Sequence, residues 1–406
     1  MPENKLTPTI FCIILLLITL AQITAEIYIP ALPAVGIALA STNTLIKFTV
    51  TAFMLGFSIS HFFYGPLSDR IGRRKPILVG ILLSIIGGII CSFAPNIQIL
   101  IVGRFIQGLG VGGCTSVGRV ITSDLSSGKQ LAKFGSYLGM ITAFVIASAP
   151  IVGGYLQHHL QNWRLIFMAL LIYTCLLGIF IWWRLPETNL RLNSNATQLP
   201  VMLNNYVILL RSKTFIGYAF CSSLAYAGII AYLTATPFLL QTIVGLNPVE
   251  FGWLALSVAL SISIAGFINT RYVLIKGIPN MIAHGAILML SGGMLMLILA
   301  LLGFMNTVVI MLPVICFCMG AGLCFTNAFA GALSLYPAIS GSAGALFGSV
   351  QILGAFLSSA VIALAHERNQ IPLAIMFIVL GIFSFISLKR LAAAKIEIPT
   401  LDEDMA

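Results

Sequence analysis

Charge is what this sequence has least of. Of its 406 residues only 8% are Asp, Glu, Lys or Arg, and 59% are hydrophobic; soluble domains carry about a quarter charged residues. So few charges cannot cover a water-facing surface, so lipid must be the solvent over much of it. Acid is scarcer than base, 11 residues against 21, for a net charge of +10. A nucleic-acid partner would need those basic residues gathered on a soluble domain. Here they sit in short gaps between apolar runs, which excludes nucleic acid. The eight cysteines all fall in apolar stretches, and no C-x-x-C pair occurs; they read as small core hydrophobes. There is no G-x-x-x-x-G-K-[ST] loop, so the chain has no ATP-binding loop of its own. No nucleophile, base and orienting group cluster, and no metal set or cofactor motif is present, which argues against an enzyme. His158 and His159 lack a third ligand nearby in sequence. Gly108-Leu109-Gly110-Val111-Gly112-Gly113 matches G-x-G-x-x-G by letters, but it lies in an apolar run with no strand before it. Close helix packing is the expectation there.

What the chain has instead is long apolar runs, near 7–33, 45–67, 76–95, 98–122, 133–157 and 163–184, then 214–240, 250–275, 280–303, 307–332, 341–365 and 370–390. Each suits the roughly 20 residues that cross a bilayer. The first run is too long for a signal-peptide core and flows into Ile27-Tyr28-Ile29-Pro30 without a polar break. The expectation is an all-α membrane protein of twelve transmembrane helices in two six-helix bundles, 1–184 and 213–390. A polar cytoplasmic linker, 185–212, joins them, and a tail, 391–406, ends in the solvated acids Asp402, Glu403 and Asp404. With the N-terminus inside, seventeen of the 21 Lys and Arg fall in cytoplasmic segments, Arg119 counted among them; Lys47, Arg164 and Arg368 fall near outer ends. That bias puts both termini in the cytoplasm.

Two ionisable residues sit well inside spans, where each costs about 2.5–3.5 kcal/mol to insert. Glu26 lies before the outer end of the first helix and Arg104 after the outer start of the fourth, both roughly 10 Å deep at 1.5 Å per residue. Thr19, Gln22 and Glu26 share a helical face, as do Arg104, Gln107 and Val111. These polar stripes predict a wet cavity, with Glu26 as a proton and cation site. The second half has no charge at that depth, since Glu250, Arg271 and Lys276 lie at helix ends. Its cavity wall is expected from Tyr226, Tyr232, Asn269, Phe325, Asn327, Phe329 and Gln351. Aromatic faces there suit lipophilic or cationic compounds.

The second loop reads Gly65-Pro66-Leu67-Ser68-Asp69-Arg70-Ile71-Gly72-Arg73-Arg74-Lys75-Pro76. It resembles the cytoplasmic signature of the major facilitator superfamily. Gly65 and Gly72 allow a tight turn, Asp69 can pair with an arginine, and Arg70, Arg73 and Arg74 belong to the basic cluster. Gly103 to Gly108 resembles the fourth-helix motif, and Ala149-Pro150-Ile151-Val152-Gly153-Gly154 the antiporter motif of the fifth. Asn162 to Phe167 and Leu185-Pro186-Glu187-Thr188 flank the sixth helix as family members do. Ala25 to Pro33, Arg119 to Asp124, Ala231-Tyr232 with Pro237 to Gln241, and Gly341 to Gln351 are similar to the bicyclomycin/chloramphenicol-resistance (Bcr/CflA) branch.

The resemblance covers nearly the whole chain. It implies a drug/proton antiporter of the cell inner membrane, multi-pass and monomeric, whose partners are a small-molecule substrate, protons and the lipid bilayer. Helices 1 and 4 would line a central cavity, and Asp69 would act in a gate latch. Three positions depart from the pattern: Ala149 where glycine is usual, Glu26 where many relatives have aspartate, and His61 where relatives often have glutamine. The last puts a titratable group near the inner end of helix 2. The alternative is an exporter dedicated to one endogenous metabolite, such as a siderophore or an amino-acid derivative.

Overall fold

The computed structural model describes residues 7–125, 128–189, 199–336, 340–365 and 368–393. Among these are twelve helices long and apolar enough to cross a membrane. The first span is α1 (Pro8–Glu26), a single 3-10 turn over Ile29–Ala31 and α2 (Leu32–Ala38). Pro30 and Pro33 cannot donate to a continuous helical ladder, so the helix breaks just after Glu26. The next five spans lie in α3 (Asn43–Ile71), α4 (Arg74–Ser92), α5 (Ile97–Leu125), α6 (Gly128–Leu160) and α7 (Trp163–Arg184). A short helix, α8 (Leu199–Arg211), lies within the stretch expected to be polar linker.

The second six spans lie in α9 (Lys213–Thr236), α10 (Pro248–Lys276), α11 (Ile278–Leu301), α12 (Thr307–Ser334), α13 (Ser340–Leu364) and α14 (Ile371–Ala393). Glu250 is spent on local structure: with Asn247 it forms a capping box at the start of α10. That arrangement satisfies amides the helix itself cannot.

The two halves repeat one packing plan. In the first, α5 lies against α1, α3 and α4, and α7 lies against α4; in the second, α12 lies against α9, α10 and α11, and α14 against α11. Glycines set the matching crossings. A Cβ at Gly80 would come 2.7 Å from the Gly110 oxygen, and one at Gly285 2.6 Å from the Gly320 oxygen. Small residues let backbones approach this closely where lipid supplies no hydrophobic drive between helices. The G-x-G-x-x-G stretch shares that use: Gly108 abuts Phe53 of α3 and Gly110 abuts Gly80 of α4.

Contacts between the halves run along α3 against α13 and α6 against α10. Facing outward are large apolar side chains such as Trp183, Phe144 and Leu274. An apolar belt of this kind is what a bilayer covers.

Candidate functional site

Glu26 is the last residue of α1, where the prolines interrupt the helix. It is buried, yet among the described residues it has neither a hydrogen bond nor an ion pair. Tyr226 and Tyr232 of α9 are close enough to feel its charge. A buried carboxyl group of the first half thus lies within reach of aromatic side chains of the second. Gln22, one turn earlier, is half-buried, while Thr19 is buried and its hydroxyl donates back to the Leu15 carbonyl at 2.9 Å.

Arg104 lies elsewhere. It is fully enclosed in the first half, where Nη1 donates to the Thr24 carbonyl at 3.1 Å and to Oε1 of Gln107 at 2.7 Å. The rings of Tyr28 and Phe53 lie 4.2 Å from its guanidinium carbon and that of Phe167 lies 5.9 Å away. Cation–π contacts of this kind, out of water, are worth about 2 kcal/mol. In this conformation Arg104, Gln107 and Val111 do not line an exposed wall, because that face of α5 turns toward α1 and α3 of its own half. Depth and periodicity place a residue on a face; they do not say which neighbour meets it. Nor does Arg104 pair with Glu26: it holds the carbonyl two residues before it, and so fixes where α1 ends.

The expected second-half residues form local groups. Asn327 donates to Asn269 at 2.6 Å, joining α12 to α10, and Gln351 donates to Ser222 at 2.7 Å, joining α13 to α9. Phe329 is exposed and meets the Phe347 ring edge-on at 5.4 Å; Phe325, one turn earlier, is exposed too. Tyr226 is half-buried and Tyr232 buried.

Sequence reasoning placed Arg119 in a cytoplasmic segment. The structure keeps it inside the apolar part of α5, exposed, within electrostatic reach of His61 on α3 and Tyr226 on α9. The signal was there: Gln107, Val111, Thr115 and Arg119 continue one ladder at steps of four.

At the end of the bundle that carries the second loop, Gly72 turns the chain at φ +93°, and a Cβ there would overlap the Glu187 carboxylate. That carboxylate accepts from the backbone amides of Arg73 at 2.8 Å and Arg74 at 3.2 Å, at the positive end of α4. The Arg73 side chain reaches Asp69 at 2.5 Å, Ser68 at 2.6 Å and Asp124 at 2.8 Å. Arg74 donates to the Trp182 carbonyl at 2.6 Å. Arg70 is also engaged. The cluster thus ties α3, α4, α5 and the end of α7 together, all within the first half.

The opposite end is closed between the halves. A Cβ at Gly154 would overlap the Pro248 carbonyl of α10, and one at Gly252 of α10 would come 2.7 Å from the Pro150 oxygen; Gly153 beside them packs on the Ile27 carbonyl of its own half. Lys47 is buried, donates to the carbonyls of Ile362 at 3.4 Å and Ala365 at 3.3 Å, and sits 5.6 Å from the Phe238 ring.

Two six-helix halves closed at one end around a buried carboxyl group define a multi-pass membrane transporter. Residues 14–359 match the Major Facilitator Superfamily, and the chain belongs to it. It is 30% identical over 391 residues to an uncharacterized MFS-type transporter of Bacillus subtilis (strain 168), covering 92% of this chain and 94% of that one. It is 28% identical to multidrug resistance protein D of Escherichia coli (strain K12), covering 91% and 92%. It is 26% identical to a bicyclomycin resistance protein homolog of Haemophilus influenzae (strain ATCC 51907 / DSM 11121 / KW20 / Rd), covering 84% and 86%. The crystal structure of a D-xylose-proton symporter shares the fold, with a TM-score of 0.73 over 94% of this chain and 96% of that one at 16% identity.

Proposed function

We propose that this chain is a proton-coupled antiporter of a bacterial inner membrane, exporting small lipophilic or cationic compounds by alternating access as a monomer. The observation that carries the reading is Glu26, a buried carboxyl group in the first span with no hydrogen-bond or ionic partner among the described residues. An ionisable group left so inside a membrane span is a site for a proton or a cation. Relatives named for multidrug and bicyclomycin resistance support the same reading.

With the second-loop end cytoplasmic, as the Lys and Arg bias gives, the conformation described is closed toward the outside. Ionised Glu26 then attracts a cationic substrate, and protonation removes that attraction once the cavity faces outward. Tyr226, Tyr232, Phe325 and Phe329 offer the apolar part of the substrate a surface. Proton and substrate bind in alternation, and each lowers the affinity for the other.

The test is proton release. Adding tetraphenylphosphonium or ethidium to weakly buffered, detergent-solubilised protein should acidify the medium, and Glu26→Gln should silence the signal. Proton uptake on binding would mean symport and would overturn the export reading. An undiminished signal in Glu26→Gln would remove Glu26 from the coupling.

A further inference from the structure

Arg119 is the cation that the mechanism above leaves without a task. Other arginines in this half are spent on structure: Arg73 on two carboxylates and Arg104 on a carbonyl, an amide and three rings. Arg119 is exposed and makes no hydrogen bond or ion pair among the described residues, although it lies in the apolar part of α5. A topology anchor would turn its guanidinium to the headgroups at the lipid face. Arg119 instead lies within electrostatic reach of Tyr226 of the second half and of His61 at the α3–α13 interface.

Tyr226 links this cation to Glu26. Tyr226 is within electrostatic reach of both Glu26 and Arg119, and its hydroxyl has no hydrogen-bond partner among the described residues. Their levels follow from packing. Gly118 lies against Ile14, Leu17 and Ile18 of α1. Arg119 therefore sits about ten residues below Glu26 along that helix, an axial separation of about 15 Å. A negative and a positive group, neither with a hydrogen bond or ion pair among the described residues, thus lie within reach of Tyr226 from different depths.

We propose that the cavity recognises an elongated zwitterion, with its ammonium end held at Glu26 and its carboxylate end held by the guanidinium of Arg119 and the hydroxyl of Tyr226. An arginine fork matches a carboxylate with two parallel hydrogen bonds, which a lysine there could not supply. The inference rests on the transport reading of the same cavity and narrows its substrate class: a cation alone meets Glu26 but is repelled by Arg119, and an anion alone meets the reverse.

The experiment uses ω-aminoundecanoic acid, whose extended chain is of comparable length, with its methyl ester (cation only) and its N-acetyl derivative (anion only). Binding to the purified full chain is measured calorimetrically with no gradient present. The zwitterion should bind about tenfold or more tightly than either derivative. In Arg119→Gln the zwitterion-to-ester ratio should fall to near one. Arg119→Lys should restore only part of it, because the charge returns without the fork. Arg119→Gln protein that is folded, by an unchanged elution profile and melting curve, and keeps the wild-type ratio overturns the proposal. So does a wild-type protein that binds all three probes alike. Because no gradient is used, a retained ratio beside absent proton-driven transport would sink the coupling reading and leave this one standing. Intact proton release with no discrimination would do the opposite.

Discussion

At the end of the bundle that carries Lys47, Gly154 and Gly252, the tight contacts cross from one half to the other; at the end that carries Asp69, the ion pairs stay inside the first half. The chemistry differs as well. The closed end is made of glycines against carbonyl oxygens, contacts that exist only when backbones touch and vanish once the halves separate by an ångström or two. The other end is made of charges that hold whatever the partner half does. The Asp69 cluster is therefore a clasp that keeps α3, α4, α5 and α7 moving as one body. The closed end is the latch. A rocking transporter needs both, rigid halves and a seam that opens.

The largest break in this comparison should come from Gly154→Leu. A side chain there would occupy the space of the Pro248 backbone across the seam, which cannot rotate aside as a flexible side chain could. Overpacking a tight site costs about 1–3 kcal/mol, and more when the obstacle is main chain. The closed end should fail to seal and substrate efflux should be lost, while Gly266→Leu, at a position with nothing within 4 Å, should be tolerated. Wild-type efflux by Gly154→Leu would mean that the seam can form without this contact.

Arg73→Gln sharpens the other side. Arg73 is buried, but Asp69 is 46% exposed and Asp124 26% exposed, so water screens both pairs. Losing a fully buried pair costs about 3–5 kcal/mol; discounted for that exposure, about 1–3 kcal/mol is expected. The variant should melt at lower temperature in detergent and cycle more slowly, with ligand affinity little changed. A normal melting curve with weakened binding would contradict the clasp.

Much of this was legible without coordinates. Twelve apolar runs and the second-loop motif show in the sequence, because bilayer thickness imposes a length and glycine permits a tight turn. Three things were not. Arg104 has the depth of a cavity residue, but which of its neighbours turn toward it is a tertiary fact, and the answer is Tyr28, Phe53 and Phe167. Arg119 reads as a cytoplasmic cation because it stands near the inner end of the 98–122 run, whereas α5 continues to Leu125. The linker stretch hides α8, whose Tyr206 meets the Phe62 ring edge-on at 6.4 Å. Its apolar residues are too few for a span and do not stand out beside twelve longer runs.

The smallest effect, and the finest test of the latch, is Lys47→Met. The methionine keeps the length and apolar stem of the lysine and removes only the charge. Lys47 reaches two carbonyls near the end of α13 at 3.3 and 3.4 Å, long for strong bonds, and has a further partner. A cation at a helix C-terminus is worth about 0.3–1 kcal/mol when exposed and up to about 2 kcal/mol when partly buried. Lys47 is 1% exposed, which favours the upper part of that range, but removing it also relieves the cost of a buried charge. A net loss of about 1 kcal/mol would shift the closed-to-open ratio about fivefold. Spin labels at Ile37→Cys and Leu302→Cys, on opposite halves of the closed end in a background without other cysteines, should report a larger long-distance population in Lys47→Met. The same labels should barely respond to Arg73→Gln, because the clasp does not cross the seam. If Arg73→Gln moved them as far as Lys47→Met does, the two ends would be coupled, and the division between clasp and latch would fail.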